Sequence, residues 1–141
     1  MSTKLTAEAR AIFAHDRYAT ELSGCEIVET DKGRALCRMS VGDNHRNAMG
    51  GVMGGALFTL ADLAVAVAMN IECLENIAWV STESHIHYLH NTDGDGITAE
   101  ATCLHQGRRS CLYHVDIREE KPEGRLLAVV ETSGYNTATK R

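Results

Sequence analysis

An apolar run at residues 52–71 reads VMGGALFTLADLAVAVAMNI, and the only ionisable side chain in it is that of Asp62. A continuous run of this length predicts a helix, and a helix that is apolar on every face is typical of a protein core. A carboxylate in such surroundings is costly unless it is hydrogen-bonded, paired or neutralised. Asp62 is therefore a candidate for chemistry.

The same run is long enough to cross a membrane. Its paired glycines, its aspartate, its alanine-rich composition and the absence of a flanking basic cluster argue against a membrane span. The sequence therefore favours a buried helix of a globular protein with no membrane partner.

Shorter patterns precede this run. A helix-start signal at residues 6–8 predicts a helix that continues to about Thr20. Alternating apolar positions in segments 25–30 and 35–41, separated by a short turn, predict a β-hairpin. A polar loop with paired glycines, residues 42–51, then leads into the long helix.

After the long helix the pattern becomes that of strands and remains so. Four strands are predicted, with turns between them: Trp79–Leu89, Ile97–His105, Ser110–Arg118 and Leu126–Tyr135. The order is helix, two strands, long helix and a four-strand meander, without the alternation of strand and helix that builds a parallel sheet. It favours an α+β fold in one domain, residues 1–141, with a single antiparallel sheet around the long helix.

Composition narrows the class of protein. The 141 residues are 44% hydrophobic and 23% charged, with a formal charge of −5, which fits one globular domain and offers no broad basic face for nucleic acid. The N-terminal segment carries charges where a signal peptide needs an apolar run. Five cysteines form no CxxC pair and read as reduced core residues of a cytoplasmic protein, none of them a nucleophile.

The start of the long helix offers a place for a carbonyl group. Gly54 and Gly55 stand where a helix leaves backbone N–H groups free and where its dipole is positive, so these groups could polarise a carbonyl and hold an oxyanion. The alternative is that the glycines only allow close packing at the helix start.

Asp62 is eight residues beyond Gly54, which on a helix is about 12 Å along the axis. A base and an oxyanion donor acting on one carbonyl must both lie within roughly 3 Å of the reacting atoms or of a bridging water. Two antiparallel copies of the helix satisfy this where one chain does not, which predicts a homo-oligomer with its sites on a two-fold interface. The alternative for Asp62 is a structural carboxylate at a dimer seam.

The run from His45 to Asp62, HRNAMGGVMGGALFTLAD, resembles the hotdog-fold acyl-CoA thioesterases of the phenylacetate-degradation (PaaI) type, whose pattern is H-x-N-x-x-G-x-x-H-G-G-x-x-x-x-L-x-D. Gly94-Asp95 and the segment 104–109, LHQGRR, resemble two later segments of the same family. The resemblance covers most of the chain from Val41 to about Val130. It implies the hotdog fold, an antiparallel sheet wrapped around one long central helix.

The resemblance also implies roles for individual residues. Asp62 would be the general base or nucleophile, the Gly54 N–H would polarise the thioester carbonyl, and the Asn47 side chain would orient substrate or water. Ser81 would help to hold the water near the acid. Further substrate-binding residues implied are His45, Met53 and Gly55, together with Arg108 and Arg109 for the phosphates of coenzyme A; the alternative for the two arginines is solvated charge beside a hairpin turn.

Two positions depart from the family pattern. Met53 stands where the family has a histidine, and its soft apolar side chain could line the acyl pocket instead. His90-Asn91 stands where many members have Arg-Pro, so the phosphate-binding rim is expected to differ. Both departures bear on rate and substrate rather than on Asp62 or Asn47.

Other functions fit the sequence less well. His85, His87 and His90 suggest a zinc site, but His90 has the opposite strand parity and no carboxylate stands at a suitable spacing, so no metal is expected. A hydratase needs a histidine near the acid, and none occurs between His45 and His85. A non-catalytic acyl-CoA-binding module is the alternative from a different class.

The expected activity is hydrolysis of a small, medium or aryl acyl-CoA to the free acid and coenzyme A. Either water attacks with help from Asp62, or Asp62 attacks directly and forms an anhydride; the sequence does not separate these routes. Coenzyme A enters as part of the substrate and no cofactor is expected. The expected partner is a second copy of the chain, as a homodimer or a homotetramer.

Overall fold

The computed structural model describes residues 3–138. Its two α-helices are α1 (Thr3–Phe13) and α2 (Gly54–Asn70), with a π-helical turn at Tyr18–Leu22 and a 3-10 turn at Asp43–His45. The strands are β1 (Cys25–Asp31), β2 (Arg34–Ser40), β3 (Trp79–Tyr88), β4 (Gly96–Gln106), β5 (Ser110–Glu119) and β6 (Leu126–Asn136).

All strands belong to one six-stranded antiparallel sheet in the order β1-β2-β4-β5-β6-β3. The sheet curls around α2, whose side chains Leu60, Val65 and Val67 are fully buried against it. The prediction of an α+β fold with one sheet around a long helix is confirmed.

The predicted four-strand meander is wrong in one connection. Strands β4, β5 and β6 are consecutive neighbours, but β3 lies beyond β6 at the edge of the sheet, and β2 takes the place beside β4. The alternation of apolar positions specifies which face of a strand is buried, not which strand lies beside it. The helix α2 carries the chain from one half of the sheet to the other, so β3 enters at the far edge.

Regular alternation along β3 is also interrupted. A bulge between Ser81 and Glu83 lets the partner strand β6 continue from Gly134 to Ser133 without a residue opposite Thr82. The extra residue reverses the facing of the side chains that follow it. The side chains before and after Thr82 therefore follow opposite alternations, which a strict period of two from residue 79 to residue 89 does not predict.

The first helix is shorter at its end than predicted. It ends at Phe13 rather than near Thr20, because the following residues, AHDR, offer no large apolar side chain for another turn against β1. Thr6 does not cap this helix; it is buried, and its hydroxyl shares a 2.7 Å hydrogen bond with the hydroxyl of Thr30 on β1. The chain then makes the π-helical turn, closed by the Ser23 N–H donating to Tyr18 O at 3.0 Å.

One face of α2 is left without cover, contrary to the expectation of a helix buried on every side. A helix lying on one sheet buries the side that faces the sheet, and the residues on the opposite side recur every three or four positions. This uncovered stripe consists of Gly55, Phe58, Thr59, Asp62 and Ala66, all exposed or half-buried.

Among residues 3–138, no helix is long and apolar enough to span a membrane. Cys25, Cys37 and Cys111 are buried, and Cys73 and Cys103 are half-buried. Burial raises the pKa of the Cys25 thiol to about 12, which makes it a poor nucleophile.

Candidate active site

The loop before α2 is organised by the side chain of Asn47. Its Oδ1 accepts hydrogen bonds from the Met49 N–H at 2.9 Å and from the Gly51 N–H at 3.1 Å, and its backbone N–H donates to Gly51 O at 2.7 Å. The turn needs Gly50 at a φ of +91°, a conformation that glycine adopts without strain. Within residues 3–138, the Asn47 Nδ2 has no hydrogen-bond partner, so this exposed amide can donate to a ligand.

Asn91 secures the same loop from the β3 side. Its Oδ1 accepts from the Val52 N–H at 3.1 Å and from the Thr92 N–H at 2.8 Å. A Cβ atom added at Gly51 would lie 1.8 Å from the Asn91 Nδ2, so this close approach requires glycine. In the sequence, His90-Asn91 is recognisable only as a departure from a family pattern. The contact with Gly51 gives Asn91 a structural role that sequence reasoning missed.

Helix α2 begins at Gly54 with two free amides. Met53 precedes it in an extended conformation, and Met53 O accepts from the Ala56 N–H at 3.0 Å and from the Leu57 N–H at 3.2 Å. Nowhere in the described part of the chain is there an acceptor for the N–H of Gly54 or of Gly55. These amides stand at the positive end of the helix dipole and can stabilise a developing negative charge.

The aromatic ring of Tyr88, the last residue of β3, lies over Gly54. A Cβ atom added at Gly54 would lie 2.8 Å from the Tyr88 Oη and 2.9 Å from its Cζ. A cavity of about 430 Å³ opens beside this pair. Its lining residues are Asn47, Val52, Gly54, Leu57, Tyr88, Leu89, His90 and Asn91; it is called the amide cavity below.

His45 lies next to this region, but its ring is used within the chain. Its Nδ1 accepts from the Gly42 N–H at 2.9 Å, so its Nε2 is the protonated nitrogen and donates to Ser23 O at 2.7 Å. The ring thereby anchors the loop to the end of the π-helical turn. A role for His45 in substrate binding stays a prediction, as does that of Met53, whose side chain is 48% exposed.

Asp62 lies in a second cavity, of about 370 Å³, on the uncovered stripe. Its lining residues are Asp16, Arg17, Tyr18, Ala19, Phe58, Thr59, Asp62 and Leu63; it is called the acid cavity below. The carboxylate can be reached from solvent in the single chain, yet the protein atoms around it displace part of its hydration. This desolvation raises the pKa of Asp62 above its usual value, and the negative charge of Asp16 raises it further.

The single chain does not bring all the predicted residues together. The amide cavity and the acid cavity share no lining residue, and α2 separates Gly54 from Asp62 by about 12 Å along its axis. Ser81 is exposed on β3 opposite Gly134. Arg108 and Arg109 are exposed in the β4–β5 turn. Gln106, just before this turn, lines a cavity with Met69 near the C-terminal end of α2, which places the turn toward the opposite end of the helix from Gly54.

The histidines of β3 and of the loop after it make separate contacts. His85 Nε2 pairs with Glu83 Oε1 at 2.6 Å, and His90 Nδ1 hydrogen-bonds to Leu126 O at 3.0 Å. Among residues 3–138, no group of three or more histidine, cysteine, aspartate or glutamate side chains is arranged to hold a metal ion.

Comparisons with known proteins agree with this architecture. The family model described as the thioesterase superfamily matches residues 49–126. The chain is 36% identical over 118 residues to the acyl-coenzyme A thioesterase PaaI of Escherichia coli, covering 83% of this chain and 81% of that protein. It is 29% identical over 130 residues to human acyl-coenzyme A thioesterase 13, covering 91% of each chain.

Solved structures give the same result. The Escherichia coli PaaI structure superposes with a TM-score of 0.78 at 26% identity, covering 94% of this chain and 95% of that one. A hypothetical thioesterase of Streptococcus pneumoniae solved with coenzyme A superposes with a TM-score of 0.75 at 25% identity, covering 92% of this chain and 99% of that one.

Proposed function

Because this chain belongs to the thioesterase superfamily and is a thioester hydrolase of the hotdog fold, we propose that it hydrolyses an acyl-CoA to the free acid and coenzyme A. In this proposal Asp62 is the acid on which turnover depends, and each active site is shared by two copies of the chain. The similar proteins of Escherichia coli and human carry the name acyl-coenzyme A thioesterase, which supports the choice of substrate.

The observation that carries the proposal is the position of Asp62 relative to the free amides of α2. Asp62 lies on the uncovered stripe, while the unpaired N–H of Gly54 faces a different cavity eight residues earlier in the helix. A second chain with its α2 antiparallel to the first would cover the stripe. It would also set each Asp62 opposite the partner's helix start, so that two half-sites become two complete sites.

The edge of the sheet supports association with a second copy. Strand β3 is ten residues long and terminates the sheet, so its outer backbone groups have no strand partner within residues 3–138. Its exposed side chains include the apolar Val80 at 48% exposure. A long edge strand with exposed apolar side chains is a template for pairing with another chain. A homodimer joined along β3, or a tetramer made of two such dimers, is therefore proposed.

The chemistry follows from these groups. In one route Asp62 takes a proton from water while the water oxygen bonds to the carbonyl carbon. The C–S bond then breaks, and the leaving thiolate of coenzyme A takes up the proton from Asp62, which returns to its carboxylate form. In the other route the Asp62 carboxylate displaces the thiolate, and water hydrolyses the resulting anhydride. In both routes the Gly54 N–H stabilises the oxyanion and the Asn47 Nδ2 orients the carbonyl or the water. The reaction uses the chain's own groups and no cofactor.

The test measures release of free coenzyme A with a thiol reagent across a panel of small, medium and aryl acyl-CoAs. Wild type is expected to turn over at least one of them, whereas Asp62→Asn and Asp62→Ala are expected to be inactive with unchanged thermal unfolding and unchanged oligomeric mass. Wild-type rates in either variant would overturn the role of Asp62. Binding of acyl-CoA without turnover of any substrate would instead favour the non-catalytic binding module.

The shared site is tested by mixing subunits. Asp62→Asn and Asn47→Asp are each expected to be inactive alone. After the two are unfolded and refolded together, half of the dimers would carry both chains and one intact site each, which restores about a quarter of the wild-type activity. No recovery, with mixed dimers demonstrated by mass, would show that both groups of a site come from one chain.

A further inference from the structure

The amide cavity contains a hydroxyl group that neither the sequence pattern nor the proposed reaction uses. We propose that the Tyr88 hydroxyl is a second hydrogen-bond donor to the thioester carbonyl, acting beside the Gly54 N–H. This inference rests on the proposed function, and it adds a residue that touches the reacting group.

The first support is how Tyr88 meets Gly54. The ring approaches with its hydroxyl end, because the position of an added Gly54 Cβ is 2.8 Å from Oη, 2.9 Å from Cζ and 3.1 Å from Cε1. Any larger residue at position 54 would displace this end of the ring. Glycine thus allows the hydroxyl to lie directly against the stretch of backbone that carries the free N–H.

The second support is that this hydroxyl is not used within the chain. Among residues 3–138, Tyr88 Oη has no hydrogen-bond partner, and the side chain is 55% exposed. Tyr113 shows the contrasting arrangement: it is buried, and its hydroxyl donates to Gln106 Oε1 at 3.1 Å. Tyr88 can therefore donate to a ligand without breaking an internal bond.

The third support is the chemistry of the amide cavity as a whole. Its lining contains no carboxylate and no lysine or arginine. The uncharged donors on its lining residues include the Gly54 N–H, the Asn47 Nδ2 and the Tyr88 hydroxyl. Neutral donors at the positive end of a helix favour a group that starts as a carbonyl oxygen and gains negative charge during the reaction.

A donor that acts mainly on the developing charge lowers the barrier more than it strengthens substrate binding. Removing one such donor typically reduces kcat by about 10²-fold. The effect of losing the Tyr88 hydroxyl should therefore appear in kcat, with KM for the acyl-CoA nearly unchanged.

The experiment compares Tyr88→Phe with wild type, using the best acyl-CoA of the panel. This variant keeps the ring over Gly54, so thermal unfolding and oligomeric mass are expected to be unchanged while kcat falls about 10²-fold. Tyr135→Phe, which removes a hydroxyl from a half-buried tyrosine on β6, is the matched control and is expected to retain wild-type kcat and KM.

Tyr88→Leu separates a role of the ring from a role of the hydroxyl. Loss of kcat in Tyr88→Leu but not in Tyr88→Phe would show that only the ring matters and would overturn the inference. So would a Tyr88→Phe variant that changes KM alone. If wild type is active, Asp62→Asn is inactive and Tyr88→Phe is fully active, the inference fails while the proposed function stands; a wild type that hydrolyses no acyl-CoA defeats both.

Discussion

Asn70, the last residue of α2, and Trp79, the first residue of β3, are joined by hydrogen bonds in both directions. The Trp79 N–H donates to Asn70 Oδ1 at 2.9 Å, and Asn70 Nδ2 donates to Trp79 O at 3.0 Å. The same Oδ1 accepts from the Ala78 N–H at 3.1 Å. One buried amide thereby fixes the helix that carries Asp62 to the strand that carries Tyr88.

We expect Asn70→Leu to destabilise the protein by about 2–4 kcal/mol, because it leaves buried backbone donors of Ala78 and Trp79 without an acceptor. Urea unfolding followed by circular dichroism measures the change. Asn76→Ala, at an exposed position in the same connection, is the matched control and should change stability by less than about 0.5 kcal/mol. Equal stability of the two variants would contradict the structural role of the Asn70 amide.

A pair of substitutions tests separately the two groups of the Asn47 side-chain amide, the Oδ1 acceptor and the Nδ2 donor. Asn47→Asp keeps an oxygen to accept from the Met49 and Gly51 amides, so the loop should hold and thermal unfolding should not change. It removes the free Nδ2 donor and adds a negative charge near the carbonyl site, so kcat should fall about 10²-fold or more.

Asn47→Ala removes the acceptor as well as the donor. It should lose activity to a similar degree and, in addition, about 1 kcal/mol of stability. If Asn47→Asp were fully active, the side chain would serve only to shape the loop. The two measurements are steady-state hydrolysis and urea unfolding of the same preparations.

The raised pKa of Asp62 predicts the acid side of the pH profile. Desolvation, followed by the charge of Asp16, disfavours the carboxylate, so the proton is released at a higher pH than from an ordinary aspartate. Both routes need the carboxylate form, and kcat/KM should therefore fall as the pH drops through this raised pKa.

Asp16→Asn removes the like charge while leaving the desolvation in place. The acid limb of kcat/KM should move toward lower pH, and the plateau rate above it should change little. The measurement is kcat/KM across the acid range for wild type and Asp16→Asn in buffers of constant ionic strength. An unchanged limb would mean that the two carboxylates do not interact in the assembled protein.

The two arginines of the β4–β5 turn are tested with a truncated substrate. If Arg108 and Arg109 meet the phosphates of coenzyme A, replacing both by alanine should raise KM for acyl-CoA by about tenfold or more, since a hydrogen bond to a charged group contributes about 1.5–3 kcal/mol. KM for the same acyl group on N-acetylcysteamine, which has no phosphate, should not change.

Arg118→Ala, at another exposed arginine, is the control for a general loss of positive charge. An equal rise in KM for both thioesters would mean that the two arginines do not recognise the phosphates. The result also decides between substrate recognition and ordinary solvated charge beside a turn.

Local patterns in the sequence were enough for the elements and for the fold class. The apolar run around Asp62 indicated α2, and the period-two segments gave the strands to within a few residues. What they could not give is which strands are neighbours, since β3 has the same alternation whether it lies beside β4 or beyond β6. The bulge at Thr82 was equally hidden, because an extra residue leaves no mark in composition.

Some residues of the candidate site could be predicted from the sequence, and others could be found only in the structure. Asp62 was recognisable as one carboxylate in an apolar helix, and Gly54 as a glycine at a helix start. Asn91 and Tyr88 act through contacts with glycines 40 and 34 residues earlier in the chain, and only the folded chain brings them together. A tyrosine at the end of a strand carries no sequence signal for such a contact.

The eight-residue interval between Gly54 and Asp62 constrains how this protein can change in length. One inserted or deleted residue between them would turn Asp62 by about 100° around the helix and shift it by about 1.5 Å along the axis, away from the uncovered stripe. Surface turns that do not contact the start of α2 can gain or lose residues without changing this spacing. Differences in chain length among related proteins should therefore avoid this interval and accumulate at the surface turns.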